Sequence, residues 1–191
     1  PVMPDKQAQF HDMMLYATLP ILFGSDWDMH ENTILAHYGL DTHYPRVIMS
    51  MPRSGGKTIA VTTFLAAFMW AMADKNLLLT CFAIQQAQTS WIVDKTYRFI
   101  SVLPGGAAMC QRSSTAMMTS RKPKHMALAT ATILRAQSGN AAGSRGAQPD
   151  ILILEEAAFI HDDLYYETVF PMLAKRGRAV FAISSDRKSV V

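Results

Sequence analysis

The fold is decided by residues 47–58, which read VIMSMPRSGGKT. The apolar run from Val47 to Met51 is typical of a short buried strand, and two glycines, a lysine and a threonine follow it closely. From Thr58 to Asp74 the chain is rich in alanine, with bulky apolar residues at helical spacing, which predicts a largely buried helix. A strand, a glycine-containing turn and a helix in this order predict a phosphate-binding loop, because backbone N–H groups at a helix N-terminus attract phosphate.

The turn supplies the groups that such a loop needs. Small residues allow the backbone to curl around phosphates, Lys57 would neutralise the terminal phosphates, and the Thr58 hydroxyl would ligate Mg2+. The predicted nucleotide-contacting residues are Ser54, Gly55, Gly56, Lys57 and Thr58. An ordinary helix start remains the alternative, since Gly-Lys-Thr also occurs by chance.

Two adjacent acids, Glu155 and Glu156, follow a second apolar run, Ile151 to Leu154. This position is the carboxyl end of a strand, where ligands of open parallel sheets bind. We therefore predict that Glu155 holds Mg2+ through its water and that Glu156 orients and polarises the attacking water. The alternative is a solvent-facing acidic turn.

The rest of the chain continues the alternation of strands and helices, after an N-terminal segment that we expect to be irregular with turns near residues 24–26 and 39–41. Expected strands are Leu77 to Ala83, Met126 to Ala136 and Ala179 to Ile183; expected helices are Gln86 to Leu103, with Trp91 on its apolar face, and Asp162 to Ala174, interrupted near Pro171. Residues 105–124 and 139–149 are expected to be loops. The predicted fold class is α/β, a mainly parallel sheet with helices on both faces.

Composition excludes several classes of protein. The 191 residues are about one domain, and with 50% hydrophobic and 17% charged residues the chain is neither disordered nor collagen-like. The longest apolar stretch, Ile59 to Ala73, is too short to cross a bilayer, and we expect neither a membrane span nor a signal peptide. Two cysteines, Cys81 and Cys110, are too few for a disulfide framework, which favours a reducing compartment.

Positive charge is concentrated in one part of the chain, although the net charge is only +3. Eight bases and no acid lie between Asp94 and Asp150: Lys95, Arg98, Arg112, Arg121, Lys122, Lys124, Arg135 and Arg145. Clustered bases of this kind favour a polyanionic partner, because they displace counterions from phosphate backbones. A solvated face is the alternative.

Four elements in order carry a resemblance to a known family. They read PRSGGKT at 52–58, GSRG at 143–146, EEAAFI at 155–160 and ISSD at 183–186. Together they resemble the Walker A, Gly-x-Arg-Gly, Walker B and coupling segments of the ATPase domain of large terminase subunits, the DNA-packaging motors of herpesviruses and tailed phages. Three positions depart from the family pattern: Met51 replaces the first glycine, Glu155 the usual aspartate, and Asp186 the usual threonine or proline.

The resemblance implies further roles. Arg53 would contact the terminal phosphate within the subunit, and Arg145 would reach the nucleotide of a neighbouring subunit, where a guanidinium can stabilise the transferring phosphoryl group. Ser184 and Ser185 would sense the terminal phosphate and couple its loss to motion. A surface loop charge at Arg145 and a simple turn at the two serines are the alternatives.

The function implied is ATP hydrolysis, with ATP and Mg2+, by an ASCE-type P-loop ATPase that drives viral double-stranded DNA into a procapsid. Residues 1–46 would be the N-terminal segment of this domain and 47–191 its core, in an excerpt of a longer protein with a downstream nuclease domain. Expected partners are double-stranded DNA, the portal and procapsid, the small terminase subunit and further copies in a ring, in the host nucleus for a herpesvirus-type protein or the cytoplasm for a phage. Alternatives are a helicase-like ASCE ATPase and a weakly hydrolysing nucleotide-binding assembly module.

Overall fold

A computed structural model describes residues 5–52, 55–122, 130–138, 148–172 and 179–185. The strands are β1 (Arg46–Met51), β2 (Leu78–Ala83), β3 (Cys110–Arg112), β4 (Ala116–Thr119), β5 (Thr132–Ser138), β6 (Ile151–Glu155) and β7 (Ala179–Ser185). The helices are α1 (Asp5–Phe23), α2 (Trp27–Tyr38), α3 (Lys57–Ala71), α4 (Gln86–Ser101), the single turn α5 (Gly106–Met109), and α6 (residues 162–172). Within this described part, no helix is long and apolar enough to span a membrane.

The strands form one sheet in the order β1-β7-β6-β2-β5-β4-β3. The first five are parallel, while β4 and β3 continue the sheet in antiparallel fashion. Strand β7 lies between β1 and β6, so its carboxyl end lies between the loop after β1 and the two acids at the end of β6. The prediction of a mainly parallel sheet is confirmed.

Each face of the sheet carries its own apolar core. Ile151 and Ile153 of β6 belong to the core under α1, α3 and α4, whereas Leu152 and Leu154 belong to the core under α6. Successive side chains of a strand point to opposite faces, so a strand buried on both sides reads as an uninterrupted apolar run. Burial of each such side chain contributes roughly 1.5–3 kcal/mol. The predicted helices on both faces are confirmed.

The N-terminal segment is helical, and the expectation of an irregular segment is wrong. Phe10, Met14 and Ala17 recur at helical spacing and are buried where α1 packs against α3 and β1. The expected turns do occur, since a 3-10 turn at Gly24–Asp26 separates α1 from α2. Gly39 then ends α2 in the left-handed region with φ 65°.

Residues 105–122 contain structure that we expected to be a loop, and that expectation is wrong. They form α5 and a hairpin of β3 and β4, whose turn is closed by Ser113 N–H donating to the Ala116 carbonyl at 2.8 Å. Elements of three or four residues are too short to display a period, so no sequence pattern indicates them. The next expected strand, Met126 to Ala136, overlaps β5, which begins at Thr132 and ends at Ser138. Of the expected loop over 139–149, residues 139–147 lie outside the described residues.

The regular hydrogen bonding of helix α6 is interrupted in the turn before Pro171, close to the predicted position. The helix is α-helical over Asp162–Leu164, π-helical over Tyr165–Val169 and α-helical over Phe170–Met172. Pro171 has no N–H to donate and its ring clashes with the preceding turn, so regular helix hydrogen bonding cannot pass through it unchanged. The strand after it, β7, is two residues longer than expected and includes both Ser184 and Ser185.

Candidate active site

The loop between β1 and α3 depends on its two glycines. Gly56 lies in the left-handed region at φ 79°, and a Cβ there would overlap the Gln7 side chain. Gln7 Nε2 donates to the Gly55 carbonyl at 3.3 Å, and Gly55 N–H donates to the Pro52 carbonyl at 3.0 Å. Helix α3 begins directly afterwards, at Lys57, so its unpaired N–H groups face the loop. Two predicted site residues, Arg53 and Ser54, lie outside the described residues.

Lys57 connects the ends of three elements. Its Nζ donates to Glu156 Oε1 at 3.1 Å and also to Ser185 Oγ, and the side chain is buried. Burying an isolated ammonium in such a position would cost several kcal/mol of folding free energy. Lys57 can be buried here because it is paired with a carboxylate. The network brings together residues 99 and 128 positions apart in the chain.

Glu155, the last residue of β6, lies beneath the loop with 7% of its surface exposed. Thr58 Oγ1 donates to its Oε1 at 3.4 Å, while its Oε2 is buried without a hydrogen-bond partner among the described residues. Burial raises the pKa of Glu155 to about 7, and the Glu156 charge adds to this, against the opposing effects of Lys57 and Thr58.

Glu156 has a backbone that few non-glycine residues adopt, with φ 52° and ψ 46°. Its Oε1 accepts from Lys57 and from Ser185 Oγ at 2.7 Å, and its Oε2 accepts from Ser185 N–H at 3.0 Å. Burial would raise the pKa of Glu156, but these hydrogen bonds outweigh it and lower the pKa below its ordinary value. The two acids therefore form a paired interior site, and the solvent-facing acidic turn is excluded.

The adjacent acids could hold a divalent cation. The donor set, the Thr58 hydroxyl and the Glu155 carboxylate, consists of the hard oxygen ligands that Mg2+ prefers. The buried, unpartnered Oε2 of Glu155 would gain a partner from a bound cation. These residues fit Mg2+.

A cleft of about 420 Å³ opens beside this network and contains a residue that the sequence did not single out as functional. Trp91 lines it, together with Lys57, Glu156 and Ser185. We expected Trp91 on the apolar, core-facing side of its helix, but it is 45% exposed, and that expectation is wrong. The buried face of α4 is set by other residues, Thr89, Ile92, Val93, Thr96 and Ile100. The spacing of these residues could have revealed this, because at 3.6 residues per turn position 91 lies on the opposite side of the helix from them.

The predicted site residues are thus largely brought together. The side chains of Lys57, Thr58, Glu155, Glu156 and Ser185 share hydrogen bonds at the carboxyl ends of β1, β6 and β7. Ser184 is adjacent but turns its Oγ toward the Ser185 carbonyl at 3.4 Å. The GSRG segment with Arg145, and Asp186, lie outside the described residues.

Several of the bases in the basic segment have partners among the described residues. Asp94 pairs with Arg98 at 2.9 Å and with Arg112 at 2.6 Å. Arg121 donates from Nη2 to the Trp70 carbonyl at 2.5 Å and lies over the Trp70 ring. Lys122 and Arg135 are exposed, and no ion pair within the described ranges involves either of them.

Comparison with solved structures decides the fold. The chain is similar to the large terminase of bacteriophage HK97, with a TM-score of 0.61 and 19% identity over 82% of this chain and 32% of that one. It is also similar to the large terminase ATPase domain of Thermus phage P74-26, with a TM-score of 0.57 and 18% identity over 80% of this chain and 68% of that one. The chain has the fold of a large terminase ATPase domain, an ASCE-type P-loop fold.

Nucleotide-bound structures are among these neighbours. The large terminase of a thermophilic bacteriophage in complex with ATP-gamma-S matches with a TM-score of 0.52 and 12% identity, over 73% of this chain and 32% of that one. The present chain thus spans about a third of the length of this terminase and of the HK97 terminase. No protein-family model matches it, and comparison with curated proteins gives no match.

Proposed function

We propose that this chain is the ATP-hydrolysing core of a large terminase subunit, which drives viral double-stranded DNA into a procapsid. The observation that carries the proposal is the hydrogen-bonded network of Lys57, Glu156 and Ser185. These residues come from the segments after β1 and β6 and from the end of β7. The terminase ATPase fold brings the three strand ends together, which adds support.

The network has the parts needed for phosphoryl transfer to water. Lys57 would hold the terminal phosphate, and Glu156 would orient the attacking water. A carboxylate has about four acceptor positions, and the described residues use three of those on Glu156, which leaves one on Oε2 for a water. The water oxygen would then bond to the terminal phosphorus as the bond from that phosphorus to the ADP oxygen breaks, ADP would leave with the bonding electron pair, and the water proton would pass to the Glu156 carboxylate. The lowered pKa of Glu156 keeps it ionised for this role at neutral pH.

The metal would be held by Thr58 and, through a water, by Glu155. Bound Mg2+ would supply positive charge to the phosphate oxygens. Glu155 would need to be ionised to contribute. Burial raises its pKa to about 7 against the opposing effect of Lys57, and the charge of a bound Mg2+ would favour the ionised form.

Other roles follow from the terminase assignment. Arg53 would contact the terminal phosphate from the same subunit, Arg145 would act on the neighbour's nucleotide within a ring, and Ser184 and Ser185 would couple phosphate loss to motion. The partners would be double-stranded DNA, the portal and procapsid, and the small terminase subunit, with a nuclease domain downstream. Because the solved neighbours are phage proteins, we propose the host cytoplasm; they give no support to a herpesvirus-type protein in the nucleus.

Steady-state phosphate release, with and without DNA, tests this proposal. A packaging ATPase should hydrolyse ATP, and duplex DNA should stimulate it more than single-stranded DNA of the same length. Stronger stimulation by the single strand would favour the helicase-like alternative. ATP binding without release of phosphate, with or without DNA, would favour the weakly hydrolysing assembly module. That alternative is considered because Met51 and Glu155 depart from the family pattern.

A further inference from the structure

Trp91 is 45% exposed, whereas the other two tryptophans are half-buried and have partners for their rings or indole N–H. Trp27 contacts the rings of Phe23 and His43, and Trp70 donates its indole N–H to the Pro104 carbonyl at 3.1 Å. The Trp91 ring has Lys95 Nζ at 5.2 Å from its centroid, and no hydrogen bond of its indole N–H is found within the described ranges. An aromatic side chain of this size is normally buried, with its N–H paired.

Trp91 lies in the same cleft as the groups that would act on the terminal phosphate. Helix α4 follows β2, and β2 lies next to β6, so the helix starts beside the strand that ends in Glu155. Trp91 therefore borders the phosphate cleft on the side of the acids. Within the cleft, Lys57, Thr58, Glu156 and Ser185 provide polar walls, and Trp91 and Ile59 provide the large apolar ones, with Ile59 52% exposed.

An apolar wall next to a charged network has a chemical consequence. Where bulk water is displaced, hydrogen bonds and charges act more strongly on a reacting phosphate, and the single attacking water has fewer competing arrangements. Glu156 still has about a fifth of its side chain exposed, at 22%, so its orientation of a water is sensitive to what lies over the cleft. The indole is a rigid group able to cover that opening.

We propose that Trp91 is a positioning residue for ATP hydrolysis: its indole closes the terminal-phosphate end of the cleft and confines the water that Glu156 orients. The inference rests on the proposed ATPase function and adds a residue to it. The side chain acts by shape and water exclusion, so another flat aromatic ring should substitute for it and a small side chain should not. Lys95, stacked against the ring, would hold it in place.

The kinetic test compares Trp91→Ala and Trp91→Phe with the unchanged chain, with Trp27→Phe as a control remote from the cleft. We expect kcat for ATP to fall by up to about 100-fold in Trp91→Ala, the size of effect that a small misplacement of a reacting group produces. KM should change by less, and Trp91→Phe should recover most of the activity. Unchanged kcat in Trp91→Ala overturns the inference, as does a loss that disappears at high protein concentration, since Trp91 would then act in assembly.

Tryptophan emission gives an independent readout. Addition of ATP-gamma-S should change the emission of the unchanged chain more than ADP does, because Trp91 faces the terminal phosphate, and the difference should vanish in Trp91→Phe. Equal changes with the two nucleotides would place the ring away from that phosphate and overturn the inference. If the unchanged chain neither binds nor hydrolyses ATP, the proposed function itself fails; if it hydrolyses ATP and Trp91→Ala does so equally well, the inference alone fails.

Discussion

Charged side chains are arranged differently in the parallel part of the sheet and in its antiparallel extension. At the carboxyl ends of β1, β6 and β7, Lys57 and Glu156 are largely removed from water and bonded to each other. Near β3, β4 and β5, Lys122 and Arg135 are exposed. Burying an ion costs several kcal/mol unless it is paired, whereas an exposed charge costs little. The first arrangement is suited to chemistry on a small charged substrate, and the second to contact with a large polyanion.

Lys57→Ala should have the largest effect, because it removes the cation of the buried network. We expect ATP affinity to fall and turnover to drop by at least about 100-fold, as for loss of other groups that stabilise developing charge. Calorimetry with ATP and phosphate-release assays would measure both quantities. Lys75→Ala removes an exposed lysine just beyond α3 and should change neither. Normal turnover in Lys57→Ala would show that the network of Lys57, Glu156 and Ser185 does not act on phosphate.

The exposed bases provide the next prediction. If Lys122 and Arg135 each contact a DNA phosphate, the double change to Ala should reduce the slope of log affinity against log salt by about 2. Affinity should weaken equally for duplexes of different sequence, since phosphate contacts do not read bases. The double variant Lys6→Ala, Arg46→Ala removes two exposed bases from α1 and β1, at the opposite edge of the sheet, and lowers net charge by the same amount. An equal loss of slope in that control would show a general charge effect and remove the distinction between the two regions.

The dependence of folding stability on pH separates the two acids. Because the pKa of Glu155 is raised from 4.5 to about 7, its contribution to folding is fully present below pH 4.5 and is lost as the pH rises through about 7. Urea unfolding in EDTA should show this loss, up to about 3 kcal/mol, and Glu155→Gln should flatten it. Glu156 has a lowered pKa and should act in the opposite direction, stabilising above its ordinary range. An unchanged pH profile in Glu155→Gln would contradict the described burial.

Features that depend on a short stretch of sequence could be predicted. An uninterrupted apolar run such as 151–154 predicts a strand buried on both sides, and the chemistry-bearing residues follow such runs directly, so the site could be located at the carboxyl ends of parallel strands. The sequence alone could not reveal that Lys57 and Glu156 bond to each other, because this depends on β7 lying between β1 and β6. Strand order is a property of the whole fold.

The misses have physical causes too. Helix α1 is hard to recognise because apolar residues also occupy its exposed side, at Met13 and Leu15, and because Pro20 lies within it. The β3–β4 hairpin is too short for a period to emerge. Trp91 was expected on the apolar face of its helix with Ile92 and Ile100, but the buried residues of α4 form an arc that does not include position 91.

The most direct test of the central claim, that the buried network hydrolyses ATP, is the comparison of ATP binding with phosphate release in Glu156→Gln. The change keeps the size and most hydrogen bonding of the side chain but removes the carboxylate that orients water. We predict ATP affinity close to that of the unchanged chain and a fall in hydrolysis of at least about 100-fold, with Glu31→Gln as a remote control. Hydrolysis at the normal rate by Glu156→Gln would contradict the account.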